Sequence, residues 1–337
     1  MNAVKHISKA TTMKWLLKRE YWENRGGFLW APLVAGGVSL LLTLMAIIVG
    51  LVATHRAARN GDLHIEGVNV NGLDLGLLTS RLSAADMAKL ADGINFTLLL
   101  SSAWPFIVLA FVVFFYCLGA LYDDRRDRSV LFWKSLPLSD AQTVLSKALS
   151  ALVVAPVLAV LAAILTMFGF LLMISAVVLF HGGNPITLIW GPASPLTVAA
   201  SHLSWVPVYA LWALPTVGWL LFCSAWARSK PFLWAVMVPV FAGIIVSWFG
   251  LMKLFNLNAG WFWGHIVSRL LLSTVPGSDL AYRAVDTQGA SLQRLTTDFS
   301  PANQLATLTT PELWIGAVVG IAFIVGAIYL RRSRDEV

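Results

Sequence analysis

Six long stretches of this 337-residue chain contain no Asp or Glu, and charged residues make up only 12% of the whole. A soluble domain carries about a quarter charged residues, so the chain has roughly half the usual charge. An enzyme site needs convergent polar groups, and the apolar stretches supply almost none. Their lack of carboxylates also argues against proton- or sodium-coupled transport through buried acids. Cysteine is nearly absent: Cys117 and Cys223 are the only two, and both fall inside apolar runs. That excludes a disulfide framework and a thiolate metal site, and the two read as small buried hydrophobes. No GxxxxGK[ST] phosphate loop and no His-Glu-x-x-His zinc pattern occurs, so this chain does not bind ATP in that way itself.

What is there is hydrocarbon. The apolar runs are Leu29–Ala53, Leu98–Tyr122, Ala148–Phe180, Ser204–Ala227, Phe232–Met252 and Leu313–Leu330. Each has the roughly 20 apolar residues needed to cross a bilayer core. Hydrophobic residues are 58% of the chain and the mean hydropathy is +0.75. The expected fold is an all-α integral membrane protein of six spans, a single transmembrane domain over residues 1–337. Loops lie at 54–97, 123–147, 181–203 and 253–312. A cleaved signal peptide is not expected, because a mostly polar segment precedes the first run.

Net charge is +7, and its distribution is informative. Sixteen Lys and Arg fall in the N-terminal segment, the second loop, the fourth loop and the tail, against seven on the other side. The positive-inside rule then puts both termini in the cytoplasm and the long loops outside. No base-stacking platform accompanies the basic residues, so nucleic-acid binding is not expected.

Residues 12–28 read as an amphipathic helix. Met13, Leu16, Leu17 and Tyr21 recur at helical spacing, with Lys14, Lys18 and Arg25 on another face. Trp15 and Trp22 suit the headgroup level, and Lys18 and Arg19 complete a helix lying on the inner membrane surface. A basic topology signal of no further role is the alternative. In the first outer loop Ser83 and Asp86 form a capping pattern that predicts a short helix from about Ala84 to Leu90. Ser139 and Gln142 form another, directly after Pro137, so the third span should begin well inside the cytoplasm. Forty helical residues would reach roughly 60 Å, against a bilayer core of about 30 Å.

The third loop has three prolines, no charge, and two widely separated histidines without carboxylate company, so it reads as a compact turn and not a metal site. Pro207, Pro215 and Pro239 bend spans four and five. Trp261 to Leu272 is too short to cross and reads as a re-entrant or interfacial helix pair. Gly316 and Gly320 form a GxxxG in the last span, a close-packing face.

The second cytoplasmic loop carries the most specific pattern. Asp123, Asp124, Arg125, Arg126, Asp127, Arg128 and Ser129 are followed by an apolar stretch that includes Phe132 and Trp133, and Pro137 ends the element. A short helix with a charged end and an aromatic cluster suits docking into a groove of another protein. A solvated topology loop with an aromatic anchor is the alternative. The loop resembles that of type-2 ABC exporter permeases, which reads Glu-Arg-Glu-x-Gly-Thr, then a hydrophobic stretch, then Leu-Pro-[Val/Leu]-Ser and a later Lys. Here Asp124-Arg125 stands for Glu-Arg, Ser129 for Thr, Leu136-Pro137-Leu138-Ser139 matches, and Lys147 takes the basic position. Arg126 replaces the second Glu and Arg128 replaces Gly.

The resemblance implies a permease subunit in a bacterial inner membrane that pairs with a second, identical or related permease. It implies cytoplasmic ABC ATPase subunits that carry ATP and Mg, with no cofactor in this chain. The second loop would be the coupling helix: residues 123–128 would set register by charge, and Phe132 and Trp133 would anchor. The apolar spans themselves suggest an amphipathic or hydrophobic cargo. Two rival readings remain at this stage. One is a membrane assembly protein whose loop recruits a partner without transport. The other is a membrane enzyme with an outer site, for which Asp279, Arg283, Asp286 and His265 are the candidates.

Overall fold

In the computed structural model the described residues are 8–59, 83–128, 138–252, 258–280 and 299–333. They are helical, with no strand among them. Five helices are long and apolar enough to cross a membrane, and a bent pair would make a sixth. Leu41, Phe111 and Val318 are each more than 60% exposed, as side chains facing lipid should be. This is the architecture of a multi-pass membrane protein.

Helix α1 (Lys9–Glu23) starts at Ser8, whose hydroxyl accepts from the Thr11 amide. A π-helical turn at Gly26–Trp30 joins it to α2 (Ala31–Arg59). The amphipathic helix expected at 12–28 is thus shorter and begins earlier. Helix α3 (Ala84–Ser101) opens on the expected Ser83–Asp86 capping box but does not stop near Leu90. It continues through a turn at Ser102 into α4 (Ala103–Ala120), so residues 84–97, read as part of the 54–97 loop, are helical. The break has a local cause. Pro105 has no N–H to give the Ser101 carbonyl, and the Ser39 hydroxyl of α2 donates to that carbonyl at 2.9 Å instead.

After the short helix α5 (Tyr122–Arg126), α6 (Asp140–Leu149) begins on the Ser139–Gln142 capping box. A π-helical turn at Ser150–Val154 carries it into α7 (Ala155–Phe180), giving one 41-residue apolar helix from Asp140 to Phe180. The π turn immediately precedes Pro156 and absorbs the hydrogen bond that proline cannot make.

The fourth span departs most from expectation. It starts at Pro195, inside the stretch read as loop 181–203, and consists of α8 (Pro195–Trp212) and α9 (Leu214–Trp226) bent by 50°. Pro215 removes a donor at the bend. The segment read as a re-entrant pair is one helical stretch: α11 (Ala259–Phe262), a π turn at Trp263–Val267, and α12 (Ser268–Leu271). Its Arg269, counted in the sequence as an outer-loop charge, is buried against the bend. The guanidinium lies 3.6 Å from the centre of the Trp212 ring and donates to the Trp212 carbonyl at 3.2 Å. The Thr216 hydroxyl donates to the Arg269 carbonyl at 2.8 Å and accepts from the Ser273 amide at 3.1 Å. A cation at the end of α8 meets the negative end of the helix dipole.

Helix α10 (Pro231–Leu251) precedes this stretch; α13 (Pro301–Ala306) and α14 (Pro311–Ser333) follow it. Helices α9 and α14 pack backbone to backbone. A Cβ on Gly218 would run into the Gly320 carbonyl, one on Gly320 into the Leu214 backbone, and one on Gly316 into the Arg269 guanidinium. The GxxxG face is therefore used within the chain.

Gly320→Leu should lower the melting temperature of the detergent-solubilised protein by about 5 °C, from an overpacking cost of roughly 1–3 kcal/mol. Gly50→Leu, which meets nothing within 4 Å, should leave it unchanged. Equal melting curves would remove the close approach.

Candidate functional site: a buried charge cluster

A connected set of buried charges sits where α1, α5, α6 and α14 meet. Glu20 of α1 is 1% exposed, although it sits on a mostly polar helix. It shares a stripe with Met13, Leu16, Leu17 and Tyr21, at the spacing that turns one helix face inward. One carboxylate oxygen pairs with Arg19 at 2.7 Å and Lys147 at 3.4 Å. The other accepts from the Tyr116 hydroxyl of α4 at 2.8 Å.

Lys147 of α6 is also buried and lies 3.5 Å from Asp124 of α5. Asp124 pairs in turn with Arg331 of α14 at 3.2 Å, and Arg331 reaches Asp140 at 3.1 Å. Arg19 also pairs with Glu23 at 3.2 Å. From Glu23 through Arg19, Glu20, Lys147, Asp124 and Arg331 to Asp140 the sign alternates at every step. The helix ends favour the same arrangement. Asp140 stands in the first turn of α6 and Arg331 in the last turn of α14, each opposite in sign to the local dipole end.

The neighbouring turn is fastened to α9. Arg125 is buried and donates to the carbonyls of Ser224 at 2.5 Å and Ala227 at 3.0 Å, at the C-terminal end of that helix. The Ser224 hydroxyl accepts from the Leu121 and Tyr122 amides and donates to the Leu118 carbonyl. The α4–α5 junction is thus stitched to α9 on one side and joined to α1, α6 and α14 on the other.

Of the residues singled out in the second loop, Asp124 and Arg125 turn inward, whereas Asp123, Arg126, Asp127 and Arg128 are exposed. Arg128 adopts a left-handed backbone with φ of 57°, and its amide donates to the Arg125 carbonyl. Ser129, Phe132 and Trp133 lie outside the described residues, as do Arg283 and Asp286. On α1, Trp15 and Trp22 are exposed, with Lys18 over the first ring at 5.0 Å and Arg25 over the second at 5.9 Å. Arg19 belongs to the cluster and not to the outer face.

Sequence reasoning missed Glu20, Tyr116, Asp140 and Arg331 as site residues. The available signal was a charge at a core-facing register. Lys147 follows Val144 by three residues, and Arg331 continues the series Gly316, Gly320, Ile324 and Ala327. Elsewhere, His265 stacks on Trp261, and Asp279 is buried. Among the described residues no three His, Cys, Asp or Glu side chains converge on a metal position. Comparison of the chain with family models, with curated proteins and with solved structures finds no match in any of the three.

Lys147→Met should cost about 1–3 kcal/mol, because Glu20 and Asp124 each lose one of two paired cations while keeping Arg19 and Arg331. Adding Glu20→Gln should recover part of that loss, with a coupling of roughly 1–3 kcal/mol in denaturant unfolding. Strict additivity of the two changes would mean the pair does not interact.

Proposed function

We propose that the chain is the permease subunit of an ATP-driven exporter. Separate cytoplasmic ABC ATPase subunits would hydrolyse the nucleotide, and a second permease, identical or related, would complete the translocation unit. The observation that carries this reading is the charge cluster, which ties one exposed polar turn to α1, α6 and α14, with Arg125 adding α9. A transporter without its own nucleotide site needs such a part, because force applied at its surface must reach several spans together.

The mechanism follows from the connections. An ATPase seated on the exposed Asp123, Arg126, Asp127 and Arg128, with Phe132 and Trp133 as anchors, would push the α5 turn. Asp124 would pass the displacement to Lys147 and Arg331, and so to α6 and α14. Lys147 would draw on Glu20 and move α1 along the membrane surface. Arg125 would carry the same displacement to the end of α9. Helix α6 continues into α7 without a loop, so it is a stiff lever; the bend at Ala213 is the natural place for the outer half of the fourth span to lag. In this reading the clustered end is cytoplasmic, both termini lie there, and the membrane is a bacterial inner membrane.

The resemblance of the loop to type-2 exporter permeases gains a physical footing at Arg128. The family pattern has Gly at this place, and the backbone here is left-handed, a conformation Gly adopts without steric cost.

Purification of the tagged chain from its host's membranes should bring down a stoichiometric ATP-binding protein, and Trp133→Ala should release it. Arg331→Leu should keep that partner but cut permease-dependent ATP hydrolysis in lipid nanodiscs roughly tenfold, the size of an ordinary coupling free energy. A chain that purifies alone, or an Arg331 variant that couples normally, defeats the reading. Arg128→Gly should gain about 1 kcal/mol of stability, whereas Arg128→Val should lose about as much, in denaturant unfolding.

A further inference from the structure

The face of α1 that turns away from the charge cluster has a composition of its own. At about 100° per residue, Thr11, Lys14, Trp15, Lys18 and Trp22 fall on one arc of about 100°, and Glu20 stands on the opposite side. Lys14, Trp15, Lys18 and Trp22 are exposed, as is Arg25 just beyond the helix. The pattern repeats. Lys18 lies over the Trp15 ring at 5.0 Å, and seven residues on, Arg25 lies over the Trp22 ring at 5.9 Å. No carboxylate belongs to this arc. Helix α1 has two acids, Glu20 and Glu23, and both pair with Arg19.

The chain itself fixes where this face lies. The apolar stretch of the first span begins at Gly26, within a turn of the end of α1 and its cap at Asn24. A helix so close to the start of a span sits at the boundary between hydrocarbon and water, where tryptophan concentrates. Elsewhere in the molecule Trp190, Trp212, Trp219, Trp263 and Trp314 each donate the indole N–H to a protein oxygen. Trp15 and Trp22 find no such acceptor among the described residues, so their N–H groups face water or a headgroup.

The chemistry of the arc selects the occupant. Three cations without an acid among them ask for an anion, and the nearest surface along the chain is the bilayer. Each Lys or Arg close to an anionic leaflet strengthens attachment about fivefold, so three together give on the order of a hundredfold. A choline headgroup would need an open indole face or a carboxylate. Lys18 and Arg25 already stand over the indoles, and the arc has no acid. Phosphate oxygens, by contrast, accept from the ammonium, guanidinium and indole N–H groups on offer.

We propose that the outer face of α1 binds anionic phospholipid headgroups, held by Lys14, Lys18 and Arg25 with Trp15 and Trp22 between them. The proposal goes beyond the exporter reading and needs only a chain seated in a bilayer. It makes α1 a strap, with headgroups on one face and, through Glu20, Lys147 on the other.

The test places a photoreactive benzoylphenylalanine at Trp15 of the full-length protein, in nanodiscs of mixed phosphatidylglycerol and phosphatidylcholine. Mass spectrometry of the adducts gives the ratio of the two lipids at α1. Phosphatidylglycerol should be enriched roughly tenfold over the disc composition. The same probe at Ile315, which is 65% exposed at the far end of α14 from Arg331, should return the disc ratio. Lys14→Gln, Lys18→Gln and Arg25→Gln together should abolish the enrichment at Trp15, and so should high salt, which leaves the chain unaltered. Removing three exposed cations elsewhere, by Arg126→Gln, Arg228→Gln and Arg332→Gln, should preserve it. Adducts at the disc ratio, enrichment that survives both the triple change and salt, or equal loss in the charge-matched control overturns the proposal. Adducts to a protein instead of lipid in native membranes also overturn it, and make α1 a docking face for an acidic protein surface. Because the readout is lipid identity, it can fail while partner-ATPase coupling remains intact, and the reverse.

Discussion

A charge cannot be left alone in a dry, apolar interior, and this constraint organises the clustered end of the molecule. Glu20, Lys147 and Arg331 are each about 95% or more buried, and each sits on the inward register of its helix. Desolvating one such group costs several kcal/mol unless an opposite charge is at hand. The pairs that satisfy them bring α1, α5, α6 and α14 to one place. Hydrophobic burial alone would not choose it, because lipid is as good a solvent for leucine as another helix is. The ion pairs thus supply specificity where the hydrophobic effect is indifferent.

The same rule governs backbone polar groups within the spans. No water reaches them there, so every proline creates a carbonyl that must find another donor. At Pro105 the donor is the Ser39 hydroxyl of α2, and ahead of Pro156 a π turn changes the hydrogen-bond spacing. Beyond the 50° bend at Ala213, Arg269 supplies both a donor and a ring-stacked cation. The Ser39 and Arg269 repairs couple helices as the ion pairs do: a break in one helix is completed by a side chain from another.

The spans were legible because hydropathy reports what must avoid water, and the two capping boxes marked their helix starts correctly. The loop boundaries were less legible. The fourth span began nine residues early, because the uncharged segment ahead of Ser204 looked like a turn from its prolines, yet Pro195 stands at the first position of α8, where its missing N–H costs nothing. The charge cluster was half visible. Asp124 and Arg125 stood out within a dense polar run, but that run gave no sign that these two face inward. Glu20 and Arg331 were lost among terminal charges read only for topology. Pairing across 191 residues, as between Arg331 and Asp140, leaves no local trace. Arg269, counted only for topology, gave no local sign of its burial, because the tryptophan it stacks on lies 57 residues away.

Helix α14 has a consequence for how the protein is made. It is the last helix synthesised among the described residues, and it brings Arg331 to carboxylates on α5 and α6 that have already left the ribosome. Until then Asp124 and Asp140 lack the Arg331 guanidinium that each reaches in the finished fold. The glycine face of α14 likewise fills a groove in α9 that stays open until α14 is made. Closure of the bundle therefore waits for α14. A nascent chain stalled before it would display two carboxylates short of their arginine and an open groove along α9.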